Sequence, residues 1–137
     1  MRRILFLCSG NYYRSRYAEL VFNRGRRNLD WWADSAGLAE TFHPGNLGPI
    51  SPYVLARLGP LPEPIRFPRH AQPADFTAER IIALKASEHQ PMLAARYPAF
   101  LPQVEFWNIH DTDVARPQIT LDALDRAIEA LLQDLAS

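Results

Sequence analysis

The apolar positions of this chain fall into two alternating patterns. Residues 3–8 are apolar almost throughout rather than every second position, the mark of a parallel strand buried on both faces. Residues 29–33 and the group Val104, Phe106 and Trp107 read as further strands. Between such runs the spacing turns helical. Ala18, Val21 and Phe22 share one face of a helix predicted over 15–24, with Gly25 as its stop. Ser51-Pro52 opens a short helix in the cap-then-proline order, with Val54, Leu55 and Leu58 inward and Gly59 closing it. Ser87-Glu88-His89-Gln90 has the form of a capping box before Met92, Leu93 and Tyr97. From Thr120, Leu121, Leu124, Ile128, Leu131, Leu132 and Leu135 make an apolar stripe for a final helix. Strands alternating with helices predict an α/β sandwich around a parallel sheet.

Two stretches break the pattern. Residues 38–50 carry Pro44, Gly45, Gly48 and Pro49 and read as a surface loop, and residues 60–73 are proline-rich and irregular. With 137 residues the chain has the length of one domain, 1–137. Apolar residues make up 47% and charged residues 22%, a globular balance. The formal net charge of zero gives no reason to expect nucleic acid or an acidic membrane as partner. Charge is uneven, however: within the first 27 residues Arg2, Arg3, Arg14, Arg16, Arg24, Arg26 and Arg27 stand against Glu19 alone. Most would form a solvated face, and the remainder a positive field suited to a phosphorylated ligand.

Cys8 is the only cysteine, so no internal disulfide can form, and no Cys/His spacing reads as a metal site. A reducing cytoplasm fits best. The apolar start is too short for a signal peptide, and no run approaches transmembrane length.

The chemistry concentrates in Cys8-Ser9-Gly10-Asn11-Tyr12-Tyr13-Arg14-Ser15, between the first strand and the first helix. A loop of this length can curl its backbone N–H groups towards one centre at a helix N-terminus, a nest for an anion. Gly10 and Asn11 tolerate the left-handed backbone that such a curl needs. Arg14 would offer two parallel donors to two phosphate oxygens. Cys8 would lie beneath the phosphorus, in surroundings that favour the nucleophilic thiolate, with Ser15 as a further donor. A lone cysteine at a strand end is otherwise a small buried hydrophobe.

The string Cys-x-Gly-Asn-x-x-Arg-Ser with Ala18-Glu19 resembles the signature of the low-molecular-weight protein tyrosine phosphatases and their arsenate reductase relatives. Tyr13 stands where many members have a second cysteine, and Arg16 where they have proline. The resemblance implies a three-layer sandwich with a four-stranded parallel sheet. Asp75-Phe76 and residues 80–84 match its helix turn and third strand. It makes Cys8 the nucleophile and Arg14 the phosphate ligand, with Asn11 and Ser15 holding the loop of Ser9, Gly10, Asn11, Tyr12 and Tyr13. Ser35, in a Ser-Ala-Gly turn, corresponds to the serine that bonds the loop asparagine, although an ordinary turn serine reads the same way.

Phe42 and Tyr12 are candidates for the substrate lip. A family histidine that supports the asparagine has Arg66 or His70 as counterpart, with His70 read as a surface residue and His89 as structural or exposed. The family's Asp-Pro-Tyr turn is replaced by Asp111-Thr112-Asp113. Asp111 is assigned as general acid, with Asp113 in reserve; two loop aspartates could also simply cap the loop. The lost tyrosine predicts weaker selectivity for aryl esters. The implied activity is hydrolysis of phosphate monoesters or phosphoprotein through a phosphocysteine, with inorganic phosphate as product and neither metal nor cofactor. The alternatives are a phosphoprotein-binding module with weak or no turnover and an arsenate reductase that borrows an external thiol.

Overall fold

The computed structural model covers residues 1–137. Strand β1 (Arg2–Cys8) leads through the loop into α1 (Arg14–Gly25), followed by β2 (Trp31–Gly37) and α2 (Pro52–Leu58). A single-turn 3-10 segment (Pro73–Thr77) precedes β3 (Arg80–Ala83) and α3 (Ala86–Arg96); a second (Pro98–Gln103) precedes β4 (Val104–Phe106) and α4 (Pro117–Ala136). The four strands form one parallel sheet in the order β2-β1-β3-β4.

The apolar run of β1 is explained by its central place, because alternate residues feed two cores. Ile4, Phe6 and Cys8 pack with Tyr17, Phe22, Leu124 and Ile128 under α1 and α4. Leu5 and Leu7 pack on the opposite face with Leu38, Phe76, Ile81 and Leu93. The expected three-layer α/β sandwich with a four-stranded parallel sheet is thus the observed one. No helix is long and apolar enough to cross a membrane.

Several boundaries differ from the expectation. Asp34, Ser35, Ala36 and Gly37 continue β2 in register with Leu5, Phe6, Leu7 and Cys8, so Ser35 is a buried strand residue rather than part of a turn. Arg16, expected on a solvated face, is buried, and its Nη1 donates to the Pro49 carbonyl at 3.0 Å. Gly25 remains helical, and its role is close approach: a Cβ there would meet Leu132 of α4 at 2.8 Å. Helix α3 begins at Ala86, one residue before the proposed capping box. Lys85 is its N-cap, and the Lys85 N–H goes to His89 Nδ1 at 3.0 Å, so Ser87 has no capping role. Helix α4 begins at Pro117 rather than Thr120, whose hydroxyl instead donates to the His110 carbonyl at 2.9 Å.

The C-terminal ends of β1 and β2 are packed closely against the loop and the residues after β2. A Cβ on Gly37 would lie 2.6 Å from Phe42 Cε1 and 2.8 Å from the Ser9 carbonyl oxygen. The backbone oxygen cannot rotate away. Gly37→Ala is therefore expected to lower stability by about 1–3 kcal/mol, as overpacking does, measured by urea unfolding; a loss below the error of that measurement would refute the packing argument.

Candidate active site

The loop after β1 turns on Asn11, the residue within it whose φ, 49°, lies in the left-handed region. Gly10 does not share that conformation; its missing side chain matters because a Cβ would approach Asn46 Nδ2 to 3.2 Å. Helix α1 begins with neither a side-chain cap nor an acidic residue in its first turn, which leaves its first N–H groups free for an anion.

The polar side chains below the loop form one directed network. Asn11 Nδ2 donates to Ser15 Oγ at 2.8 Å and to Ser35 Oγ at 2.9 Å. Ser15 Oγ, already an acceptor, has its own proton for Cys8 Sγ at 2.9 Å, an arrangement suited to a thiolate acceptor. Asn11 Oδ1 accepts from Arg66 Nη1 at 2.9 Å and from the Arg69 backbone N–H at 3.1 Å. Arg66, not His70, therefore supports the asparagine. Ser35 Oγ receives a second donor, Arg66 Nη2, at 3.0 Å and donates to Glu19. Burial pushes the Glu19 carboxyl up from its ordinary value, against the bond from Ser35 and the charge of Arg66.

Arg14 is 2% exposed. Its Nη1 donates to the Ile109 carbonyl at 3.0 Å, and Nη2 lies 2.6 Å from Glu88 Oε2 and 3.4 Å from Asp111 Oδ2. Burial acts to lower its pKa, but the charges of Cys8, Glu88 and Asp111 outweigh it and push Arg14 up. Arg16, whose burial faces the like charge of Arg66, moves the other way, down to about 10.

His89, expected to be structural or exposed, is 0% exposed, with Nε2 3.2 Å from Ser9 Oγ and 3.2 Å from Glu88 Oε2. Because Nδ1 accepts the Lys85 N–H, the proton sits on Nε2, and charging the ring would require breaking that bond. Burial likewise pushes the His89 pKa down. The His89 hydrogen bond, helped by Arg14 and opposed by burial, takes Glu88 down to about 2. The contact is thus between a neutral imidazole and a carboxylate.

Above Cys8 opens a cavity of about 400 Å³. Cys8, Ser9, Gly10, Tyr12, Tyr13 and Arg14 form its floor, and Asp111 and Thr112 lie on its wall together with Phe42 and Tyr53. Asp113 is exposed and is not part of that wall. Phe42 is held in place by stacking on His70, with ring centroids 3.9 Å apart. Tyr12 ties the loop to the opposite lip through its hydroxyl, which donates to the Leu47 carbonyl at 2.6 Å. No group of three His, Cys, Asp or Glu is placed to hold a metal ion. The sequence reading gave Glu88, His89 and Glu19 no part in the site and did not name Tyr53. Glu88 and His89 could have been sought as polar residues directly after β3, where side chains reach the carboxyl edge of the sheet.

No protein-family model and no curated protein matches the chain. Solved structures do. The low molecular weight protein tyrosine phosphatase from T. tengcongensis superposes with a TM-score of 0.78 at 24% identity, over 98% of this chain and 99% of that one. The YwlE arginine phosphatase from Geobacillus stearothermophilus gives 0.76 at 19%, over 99% and 94%. Vibrio vulnificus Wzb in complex with benzylphosphonate gives 0.77 at 18%, over 97% and 98%. The chain has the fold that these proteins share.

The charged network makes stability depend on pH in two steps. A depressed His89 binds its proton less readily folded than unfolded, so stability falls as pH drops below the ordinary histidine value of 6.5. Glu88, depressed from 4.5 to about 2, contributes stability above pH 4.5 that disappears as pH falls towards 2. Urea unfolding across pH 7.5 to 2.5 should show both losses, and Glu88→Gln should remove the lower one. An unchanged slope below pH 4.5 in that variant would contradict the assignment.

Proposed function

We propose that this chain is a cysteine-dependent phosphatase acting on phosphate monoesters of the phosphotyrosine type. The observation that carries the reading is the convergence of Cys8 Sγ, the N-terminus of α1 and the Arg14 guanidinium on the floor of a cavity whose wall holds Asp111. The fold shared with protein tyrosine and arginine phosphatases supports it, as does the phosphonate complex of one such neighbour. A lone cysteine nucleophile would serve best in a reducing compartment such as the cytoplasm.

In the first step the Cys8 thiolate attacks phosphorus, an S–P bond forms, and the ester P–O bond breaks. Asp111 gives its proton to the departing oxygen. A bound dianion draws on the charge of Arg14, which loosens the ion pair between that arginine and Asp111. In the second step Asp111 takes a proton from water, the hydroxide attacks phosphorus, the S–P bond breaks, and inorganic phosphate leaves. Loop N–H groups and Arg14 stabilise the charge on the equatorial oxygens in both steps. Glu88 is the other carboxylate near Arg14, but with its pKa at about 2 it has no proton to give.

Aromatic side chains give the cavity its character. Tyr53 on α2 and Phe42 on the lip take the place of the tyrosine wall that the Asp-Thr-Asp turn lacks, and an aryl group would lie between them. A second reading, a phosphoprotein-binding module, is favoured by one observation: both Glu88 and Asp111 already engage Arg14.

Release of phosphate from p-nitrophenyl phosphate separates the two. Cys8→Ser and Arg14→Lys should abolish turnover, the latter through loss of the two-pronged donor; a wild type that binds phosphate yet releases none would establish the binding module. Asp111→Asn should slow turnover by about 10²–10⁴-fold for poor leaving groups, whereas Asp113→Asn should change it little. The reverse order would move the acid. Tyr53→Ala and Phe42→Ala should each lower kcat/KM for aryl over alkyl phosphates by up to about tenfold; an unchanged ratio would remove the aromatic walls from the account.

A further inference from the structure

We infer that Glu88 is a positioning residue for this reaction, holding the Arg14 guanidinium in the plane that receives the phosphoryl oxygens; the inference rests on the phosphatase reading above. Arg14 is pinned at two of its three nitrogens. Ile109 accepts the hydrogen bond of Nη1 at 3.0 Å, while Nη2 forms an ion pair with Glu88 at 2.6 Å and makes its hydrogen bond to Asp111 at the longer distance of 3.4 Å. A planar guanidinium bonded at Nη1 and drawn at Nη2 by the nearby Glu88 charge has its orientation biased, so the direction of its remaining N–H bonds is favoured before substrate arrives.

Glu88 itself is held from two sides. It stands in the first turn of α3, where the helix dipole favours a carboxylate. His89, whose Nδ1 is committed to the backbone of Lys85, keeps its Nε2 proton 3.2 Å from the same oxygen. Its pKa of about 2 keeps Glu88 charged wherever an acid-assisted phosphatase works. Residues 88 and 89 together join α3 to both ends of the loop, Glu88 at Arg14 and His89 at Ser9.

The charge that orients Arg14 also repels a bound dianion. Glu88 therefore trades ground-state affinity for orientation, and this gives a signature that a merely structural residue lacks. In the full-length protein, Glu88→Gln should lower kcat for p-nitrophenyl phosphate by about tenfold to a hundredfold, the scale of a small misplacement. At the same time, KM and the inhibition constant of inorganic phosphate should fall by about fivefold, the size of one near charge at solvent-like screening. Glu88→Asp, which keeps the charge, should recover part of kcat and the wild-type phosphate affinity.

An unchanged kcat in Glu88→Gln would overturn the inference. So would a joint loss of kcat and phosphate affinity with a lower unfolding midpoint, because that pattern is loss of structure. If the wild type itself fails to turn over, the phosphatase reading falls, and phosphate binding by calorimetry still decides on Glu88. Tighter binding by Glu88→Gln supports its electrostatic hold on Arg14, and equal binding overturns it.

Discussion

The amide of Asn11 makes four hydrogen bonds, to Ser15, Ser35, Arg66 and the backbone of Arg69, while its own backbone is held at φ 49°. Two donors and two acceptor positions are all that an asparagine side chain has, so the group is fully used and its orientation is fixed. Every other polar direction beneath the loop follows from it. Ser15 must aim its proton at Cys8, Ser35 must aim its proton at Glu19, and the chain between Cys8 and Arg14 must curl. A buried network of this kind is stable only when every member is satisfied. The surrounding arginines are what satisfy it, and for that reason Arg66, drawn from an irregular proline-rich stretch, is part of the site.

Charge above the loop is arranged with equal economy. Two carboxylates meet one nitrogen of Arg14, and their environments separate them. Glu88, 2.6 Å from Arg14 Nη2 and 3.2 Å from His89 Nε2, is held well below the ordinary glutamate range, which suits an anchor rather than a proton donor. Asp111 lies at the cavity wall, 39% exposed and farther from Arg14, within reach of a leaving group. The assignment of acid and anchor rests on this difference of surroundings, since the two side chains have the same chemistry.

Most of the fold was legible in the sequence because the sheet is parallel and covered on both faces. The uninterrupted apolar run of β1 and the heptad-like stripe of α4 follow from burial alone. Boundaries failed where another contact, long-range in one case and local in the other, overrode the first signal. Asp34-Ser35-Ala36-Gly37 reads as a turn, yet pairing with β1 extends it into strand. Ser87 reads as a cap, but the imidazole of His89 claims the Lys85 N–H first.

The short-range part of the site was equally legible, since Cys8, Asn11, Arg14 and Ser15 lie within eight residues and Asn11 bonds Ser15 across four. What was not legible were partners drawn from distant segments. Nothing in the chain order places Glu88 against Arg14, or Tyr53 in the cavity with Asp111; only the winding of the sheet brings them together.

The central claim is that Cys8 carries the phosphoryl group during turnover. It is tested most directly by mixing Asp111→Asn protein with p-nitrophenyl phosphate, quenching in acid within milliseconds, and measuring the mass of the peptide that contains Cys8. Without its base the second step slows more than the first when the leaving group is good, so the adduct should accumulate. The account predicts that this peptide gains the mass of one phosphoryl group on Cys8, in step with the early release of p-nitrophenol. Release of p-nitrophenol with Cys8 unmodified at every time point would contradict it.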